Sequence, residues 1–485
     1  MLFNSFEFFI LYLPIVLIVF FALGRRYPNA ASLFVGLASL FFISVWEISY
    51  AVILSLSILF NYAAAYVISV QDAPFRRKIA LSAAITVNLV IIFLYKYLDF
   101  SVDTLNYLSG SHLEHWELVL PLGISFYTFT QTAFLVDTYR KEVRDLNFVR
   151  YLLFVTYFPH LVAGPILHHG SIIPQFAKDA TYRVQWDNIA TGFMYFTIGL
   201  AKKVILADTF ALYATPVFTA ADSGQDVAAV AAWTGALAYT FQIYFDFSGY
   251  SDMAVGLAKM MNVDIPYNFN SPYKATSIID FWRRWHMSLS AFLRDYVYIP
   301  LGGSKRGSRY VNLMTTMLIG GLWHGASWTF VVWGGLHGLY LVVNHRFSAG
   351  GAAVCHGVVE KMSARLLTFL VVILAWVFFR SETFSGAATI LSAMLVDVFH
   401  EPVADAPATL IRMFGDAEAP WRIAAILSVG LVITWFAPNS QEIVRAPVLE
   451  RLVSFPVVGS ALVFVMTLLV INTSRGVSEF IYFNF

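Results

Sequence analysis

What most constrains this chain is a series of apolar runs, each about 15–22 residues long, that recurs from one end to the other. They begin with Phe6–Leu23 and Ala31–Trp46, pass through Ala80–Phe100, Leu118–Val136 and Val227–Tyr244, and close with Ile423–Phe436 and Val457–Ile471. A water-soluble fold could not hide them. Of the 485 residues 59% are hydrophobic and only 13% charged, about half the charge of an ordinary soluble domain. Much of the apolar surface must therefore face lipid. Several runs are too short to cross about 30 Å of hydrocarbon. The expectation is an all-α polytopic membrane protein with about eleven spans, other segments being re-entrant or interfacial.

The basic residues orient the chain. Arg25-Arg26, Arg76-Arg77-Lys78 and Arg140-Lys141 with Arg144 fall where one face of successive spans would lie. Asp99–Glu117 lacks Lys and Arg, and Glu401–Glu418 is acidic apart from Arg412. Arg-rich loops are expected in the cytoplasm, with the N-terminus outside. Met1–Gly24 lacks a basic leader and is followed by its Arg pair, as in a retained first span. The formal net charge of +1 gives no sign of a nucleic-acid partner, and the single Cys355 excludes an internal disulfide or a cysteine metal cluster. The Gly/Ala-rich Ser348–Gly351 loop is short, so 1–485 reads as one membrane domain.

In such a background the informative residues are ionisable ones within apolar segments. His324 lies in GGLWHGASW, between Gly321 and Gly325. That glycine spacing allows either close helix approach or close approach of a substrate. Histidine suits proton transfer near neutrality, although a packing histidine bonded to a carbonyl is equally consistent. Ser277 and Asp280 resemble a capping box, so a helix is expected to begin there. Trp282, Trp285, Leu289, Phe292 and Tyr296 would share one face of an amphipathic interfacial helix carrying Arg283, Arg284 and His286. Asp280 and Arg284 are spaced to pair. Asp246 and Asp252 sit among aromatics. They are expected to orient a histidine, to pair with Arg283 or Arg284, or to be helix-terminal acids. The segment FPHLVAGP, followed by His168-His169, reads as a discontinuous helix. A histidine cluster could bind metal, but no carboxylate or cysteine accompanies it, so no metal is expected. The soluble-enzyme signatures G-x-S-x-G, H-E-x-x-H and G-x-G-x-x-G are absent from the sequence.

The blocks FWRRWHMSLSAFLRDYVYIPLGG (Phe281–Gly303) and MLIGGLWHGASWTFVVWGGLHG (Met317–Gly338) resemble the membrane-bound O-acyltransferases. Within them the chain is most similar to the bacterial branch that acetylates exported polysaccharides such as alginate. LPLGISFYTFTQTAFLVDTYR, FPHLVAGPILHHGSIIPQF, YFDFSGYSDMAVGLA and the terminal FIYFNF agree. The resemblance implies a ring of tilted helices around a central tunnel. It makes His324 the essential histidine and His286 a second, supporting one. It also implies that acetyl is taken from a cytoplasmic donor and passed outward to a periplasmic partner acetyltransferase acting on polysaccharide, such as alginate or cellulose. No bound cofactor is implied; acetyl-CoA is the natural donor. Trp323, Trp282, Arg283, Arg284, Asp246 and Asp252 are candidate donor-binding or tunnel-lining residues, and Lys305-Arg306 would help attract a phosphate-bearing donor. Transfer of D-alanyl or to a lipid acceptor is the alternative within the family. A transporter with a histidine relay is the alternative outside it, although the inverted repeat of many transporters is absent.

Overall fold

A computed structural model describes residues 1–143, 146–349, 357–446, 454–473 and 480–481. Arg144, Cys355 and most of the FIYFNF block lie outside the described residues. Among the described residues the chain is helical, with no strand.

The first group of helices comprises α1 (Leu13–Gly24), entered through a π-helical turn at Phe8–Tyr12, α2 (Pro28–Ser44), α3 (Ile48–Val70) and α4 (Pro74–Ile92). A second π turn, Phe93–Tyr97, joins α4 to α5 (Leu98–Ser109). Next come α6 (Ile124–Tyr139), α7 (Phe148–Thr156), α8 (His169–Phe176) and α9 (Trp186–Ala201), the last leading through a π turn at Lys202–Ala207 into α10 (Asp208–Asp222). The central helix is α11 (Ala229–Met260). Short α12 (Ile278–Trp282) and α13 (Met287–Leu293) precede α14 (Arg309–His324), α15 (Trp328–Ala349), α16 (Val358–Arg380) and α17 (Phe384–Leu395). The chain closes with α18 (Ala406–Phe414), α19 (Ala419–Phe436), α20 (Ser440–Val444) and α21 (Ser454–Thr473).

The outer helices show why such a chain needs lipid. On α3 the buried residues Leu54, Ile58, Asn61, Ala65 and Ile68 recur at helical spacing, whereas Ile48, Val52, Leu56 and Leu59 form an exposed apolar stripe. Asn61 and Asn88 exchange amide hydrogen bonds of 3.1 and 2.7 Å, which join α3 to α4 without an unpaired polar group. Among the described residues five helical stretches are long and apolar enough to cross a membrane: 48–70, 74–109, 186–222, 358–380 and 419–436. The spans expected at Phe6–Leu23, Ala31–Trp46 and Val457–Ile471 appear as shorter apolar helices.

Val227–Tyr244 belongs to something different. There α11 runs for 32 residues, about 48 Å of rise, and is buried along nearly its whole length. Protein rather than lipid surrounds it, so its composition need not be uniformly apolar. This is why Asp246 and Asp252 are neither helix-terminal nor partners of Arg283 or Arg284. They lie within α11 and pair with consecutive lysines of the π turn, Lys203 Nζ to Asp246 Oδ1 at 2.6 Å and Lys202 Nζ to Asp252 Oδ2 at 2.7 Å. Asp208 and Ser440 complete the two clusters. The extra residue of a π turn lets neighbouring side chains reach one partner helix.

The basic residues gather at one end of the bundle. Gly24 abuts Tyr182, the carbonyl of Arg183 accepts from Asn262, and the N–H of Asp264 donates to Gln175. Arg77 donates to the carbonyl of Tyr139 at the end of α6. The opposite end is acidic. Asp99 accepts from the N–H groups of Trp116 and Glu117, and Trp328 donates to Thr104.

Glycines set a close contact between α9 and α11. A Cβ on Gly199 would lie 2.4 Å from the carbonyl of Gly249, and one on Gly256 would lie 2.5 Å from that of Gly192. These two pairs let α9 and α11 pack backbone to backbone. Gly249→Leu should therefore lower the thermal unfolding midpoint of the detergent-solubilised protein, by overpacking of about 1–3 kcal/mol. Gly459→Ala, which faces open space among the described residues, should leave it unchanged. Equal midpoints for both variants would refute this packing account.

Candidate active site

His324 is the last residue of α14. A helix leaves its final carbonyls without intrahelical donors, and in a buried, apolar place those carbonyls need others. The π turn joining α4 to α5 supplies them. Tyr97 Oη donates to the carbonyl of Leu322 at 2.7 Å, and Lys96 Nζ donates to those of Trp323 and His324 at 2.6 and 3.2 Å. Three consecutive carbonyls are thus capped by two consecutive side chains. Lys96 is itself buried and also reaches Ser125 Oγ at 3.5 Å.

The glycines around His324 serve packing. A Cβ on Gly321 would lie 2.3 Å from the carbonyl of Phe330, and one on Gly325 would overlap the Phe330 ring. Of the two readings of this spacing, close helix approach is the one observed, and it draws α14 against α15.

His286 reaches His324 through a break in what the sequence suggests is one amphipathic helix. Ser277 does cap α12, accepting from the Asp280 N–H, and Asp280 pairs with Arg284 at 2.9 Å. The helix then stops at Trp282. His286 adopts φ 43°, a left-handed conformation that non-glycine residues hold only where the surroundings enforce it. Asn268 does the enforcing, because its carbonyl accepts from Met287 N and its side-chain oxygen accepts from Ser288 Oγ. The break turns His286 inward, and its burial is complete. The expected interfacial helix is instead a buried, kinked pair, with Trp285, Leu289 and Phe292 in the core.

The two imidazoles lie with centroids 6.5 Å apart. Trp323 packs against both, at 4.8 Å from His324 and 6.2 Å from His286. Trp333 and Phe379 meet the His324 ring edge-on at 5.1 and 5.2 Å. Behind them lies a third histidine, His337, which accepts from Trp282 Nε1 at 3.3 Å and packs on Trp333. Trp282 therefore belongs to the site through His337. Arg283 is exposed, Arg284 is bonded to Asp280 and to the carbonyl of Asn270, and the Asp246 and Asp252 clusters brace α11. Neither Lys96 nor His337 was evident from sequence, though a lysine within an apolar run is a signal that could have found Lys96.

Two cavities flank the histidines. At the acidic end one of about 570 Å³ is lined by Phe330, Phe379, Arg380, Ser381 and Glu382. Near the basic end another of about 650 Å³ is lined by His168, Asp264, Met287, Ser288, Phe292 and Tyr296. From it an aromatic wall leads inward, Phe292 stacking on Phe129 at 4.5 Å and Phe129 on Trp323 at 5.3 Å.

The histidine cluster beyond FPHLVAGP also differs from expectation. His160 is held by the carbonyl of Phe154 at 2.9 Å. His168 and His169, however, do have a carboxylate beside them, Asp137 from α6. Only the fold brings it there.

This is a polytopic helical membrane protein with an enclosed histidine pair near the end of one helix. A family model described as MBOAT, membrane-bound O-acyltransferase family, matches residues 39–379, and the chain belongs to that family. It is 41% identical over 424 residues to the peptidoglycan O-acetyltransferase of Helicobacter pylori, covering 81% of this chain and 80% of that protein. It is 40% identical over 407 residues to a probable alginate O-acetylase of Pseudomonas aeruginosa, covering 81% and 75%. The teichoic acid D-alanyltransferase of Bacillus subtilis is 29% identical over 276 residues, covering 54% and 67%.

The capping by Lys96 is directly testable. Lys96→Met leaves two buried carbonyls without their donor, a loss of about 1–3 kcal/mol for each. The variant should unfold at a lower temperature and lose most acyl transfer. Tyr97→Phe, which frees one carbonyl, should show a smaller loss of stability. A Lys96→Met protein with wild-type stability and transfer would contradict the capping role.

Proposed function

We propose that this chain is the membrane O-acetyltransferase of a system that acetylates an exported polysaccharide, and that His324 is its general base. The observation that carries the reading is the His324–His286 pair with two cavities beside it, one bordered by Phe379, which packs on His324, the other by Met287 and Ser288, which follow His286. An acyl donor and a hydroxyl acceptor can then approach one imidazole from opposite sides, so that the acyl group crosses while neither carrier does. The names of the relatives at 41% and 40% identity support acetyl over D-alanyl.

In the reaction, His324 takes the proton of the acceptor hydroxyl as its oxygen attacks the thioester carbonyl of acetyl-CoA. The C–S bond then breaks, the O-acetyl ester forms, and the thiolate recovers a proton from the imidazolium as CoA leaves. Enclosure in aromatic side chains excludes water, which would otherwise hydrolyse the donor. His286 shares the Trp323 face and supports the His324 ring. The basic end faces the cytoplasm of the inner membrane and the N-terminus lies outside. Lys305, Arg306, Arg283 and Arg284 there attract the donor phosphates. A periplasmic acetyltransferase partner receives the acetyl group and esterifies the polymer.

Acetate on the exported polymer, measured in cells making equal amounts of each protein, tests the role of His324. His324→Ala should lower it about 100-fold or more, the usual contribution of a positioned base. His286→Ala should lower it less. Undiminished acetylation in His324→Ala cells would overturn the assignment.

A further inference from the structure

We propose that Asp137, His168 and His169 form a binding site for a divalent transition-metal ion of the zinc class at the rim of the basic-end cavity. Their ligand atoms all lie within 4.8 Å of one another. His168 Nε2 and His169 Nδ1 converge on the same oxygen, Asp137 Oδ2, at 2.9 and 3.2 Å. Around a tetrahedral zinc ion with ligand bonds of about 2.0–2.1 Å, neighbouring donor atoms stand about 3.3 Å apart. The three atoms therefore need only small displacements to take up an ion. Two imidazoles and one carboxylate suit zinc and its neighbours, whereas calcium and magnesium prefer all-oxygen sites.

Consecutive histidines can share one target because of where the helix begins. His168 is the extended N-cap residue of α8 and His169 its first helical residue. Asp137 comes from the last turn of α6 and is almost wholly buried. Tyr296 Oη donates to both its oxygens, at 2.9 and 3.0 Å. That bond orients the carboxylate as the outer-shell partners of metal ligands commonly do. Arg140 is 4.0 Å from Asp137 Oδ1 and partly exposed, so it can swing to solvent. The His168 side chain is 48% exposed and lines the cavity, which leaves a coordination position open there.

One present interaction opposes binding. His168 Nδ1 accepts from the N–H of Gly170 at 3.2 Å, which places its proton on Nε2. Ligation through Nε2 moves that proton to Nδ1 and ends the bond. Gly170 is exposed, so its N–H passes to water and is not stranded. The ion would join α6 to α8 beside Tyr296, independently of the chemistry at His324.

The test uses the purified full chain in detergent, equilibrated with micromolar zinc sulfate, freed of unbound metal and assayed by elemental mass spectrometry. Wild type and His324→Ala should each retain one zinc per chain. His168→Ala should bind at least 10-fold more weakly, and the His168→Ala/His169→Ala double variant should retain none. Cobalt(II) should give a visible d–d absorption in wild type that is missing from the double variant. Because His168 is exposed, the single variant decides the matter even if the double variant elutes as aggregate. Wild type without retained zinc, or equal retention by wild type and His168→Ala, would overturn the proposal.

Discussion

The geometry of this protein depends on how the last turn of α14 is satisfied. A buried helix end presents carbonyls that neither lipid nor water can serve. Here a π-helical turn more than 220 residues earlier in the chain supplies Lys96 and Tyr97. The extra residue of that turn aims two consecutive side chains at three consecutive carbonyls. The arrangement fixes the axial position of α14 and hence the height of His324 between the two ends of the bundle. The tight contact between Gly321 and the Phe330 backbone then fixes its rotation.

A set of buried ion pairs braces the central helix. Lys202 and Lys203 also come from a π turn, and they meet Asp252 and Asp246 inside α11. The N–H of Ile481 donates to Asp246 at 2.9 Å, so the end of the described chain is tied to the central helix. Removing either member of such a pair leaves a charge stranded in a low-dielectric interior. Buried lysines in this bundle thus do structural work at α11 and α14, while the histidines between them are enclosed by aromatic rings.

Much of this was legible in the sequence for definite reasons. Apolar runs report lipid-facing helices directly, and the Ser277–Asp280 signal correctly starts α12. The wide separation of basic from acidic loops matches the two ends of the bundle. His324 stood out because an ionisable residue in an apolar stretch needs a partner. What escaped depends on contacts distant in sequence. The break at His286 is imposed by Asn268, and no local pattern announces it. Asp246 and Asp252 looked like candidate partners for arginines because π turns leave no simple periodic trace. Asp137 lies 31 residues before His168, which is why the histidine pair seemed to lack a carboxylate. His337 was hidden in a glycine-rich apolar block whose packing only the fold reveals.

The proposed relay stands on one spatial claim, that the cavities beside His324 open to opposite sides of the membrane. Labelling of single cysteines tests it most directly, since Cys355 is the only native one and can be replaced by serine. In that background Ser171→Cys marks the basic-end cavity and Glu382→Cys the acidic-end cavity. A membrane-impermeant maleimide added to intact cells should label Glu382→Cys and spare Ser171→Cys until the cells are opened. Labelling of both from the same side would contradict transfer across the membrane at His324.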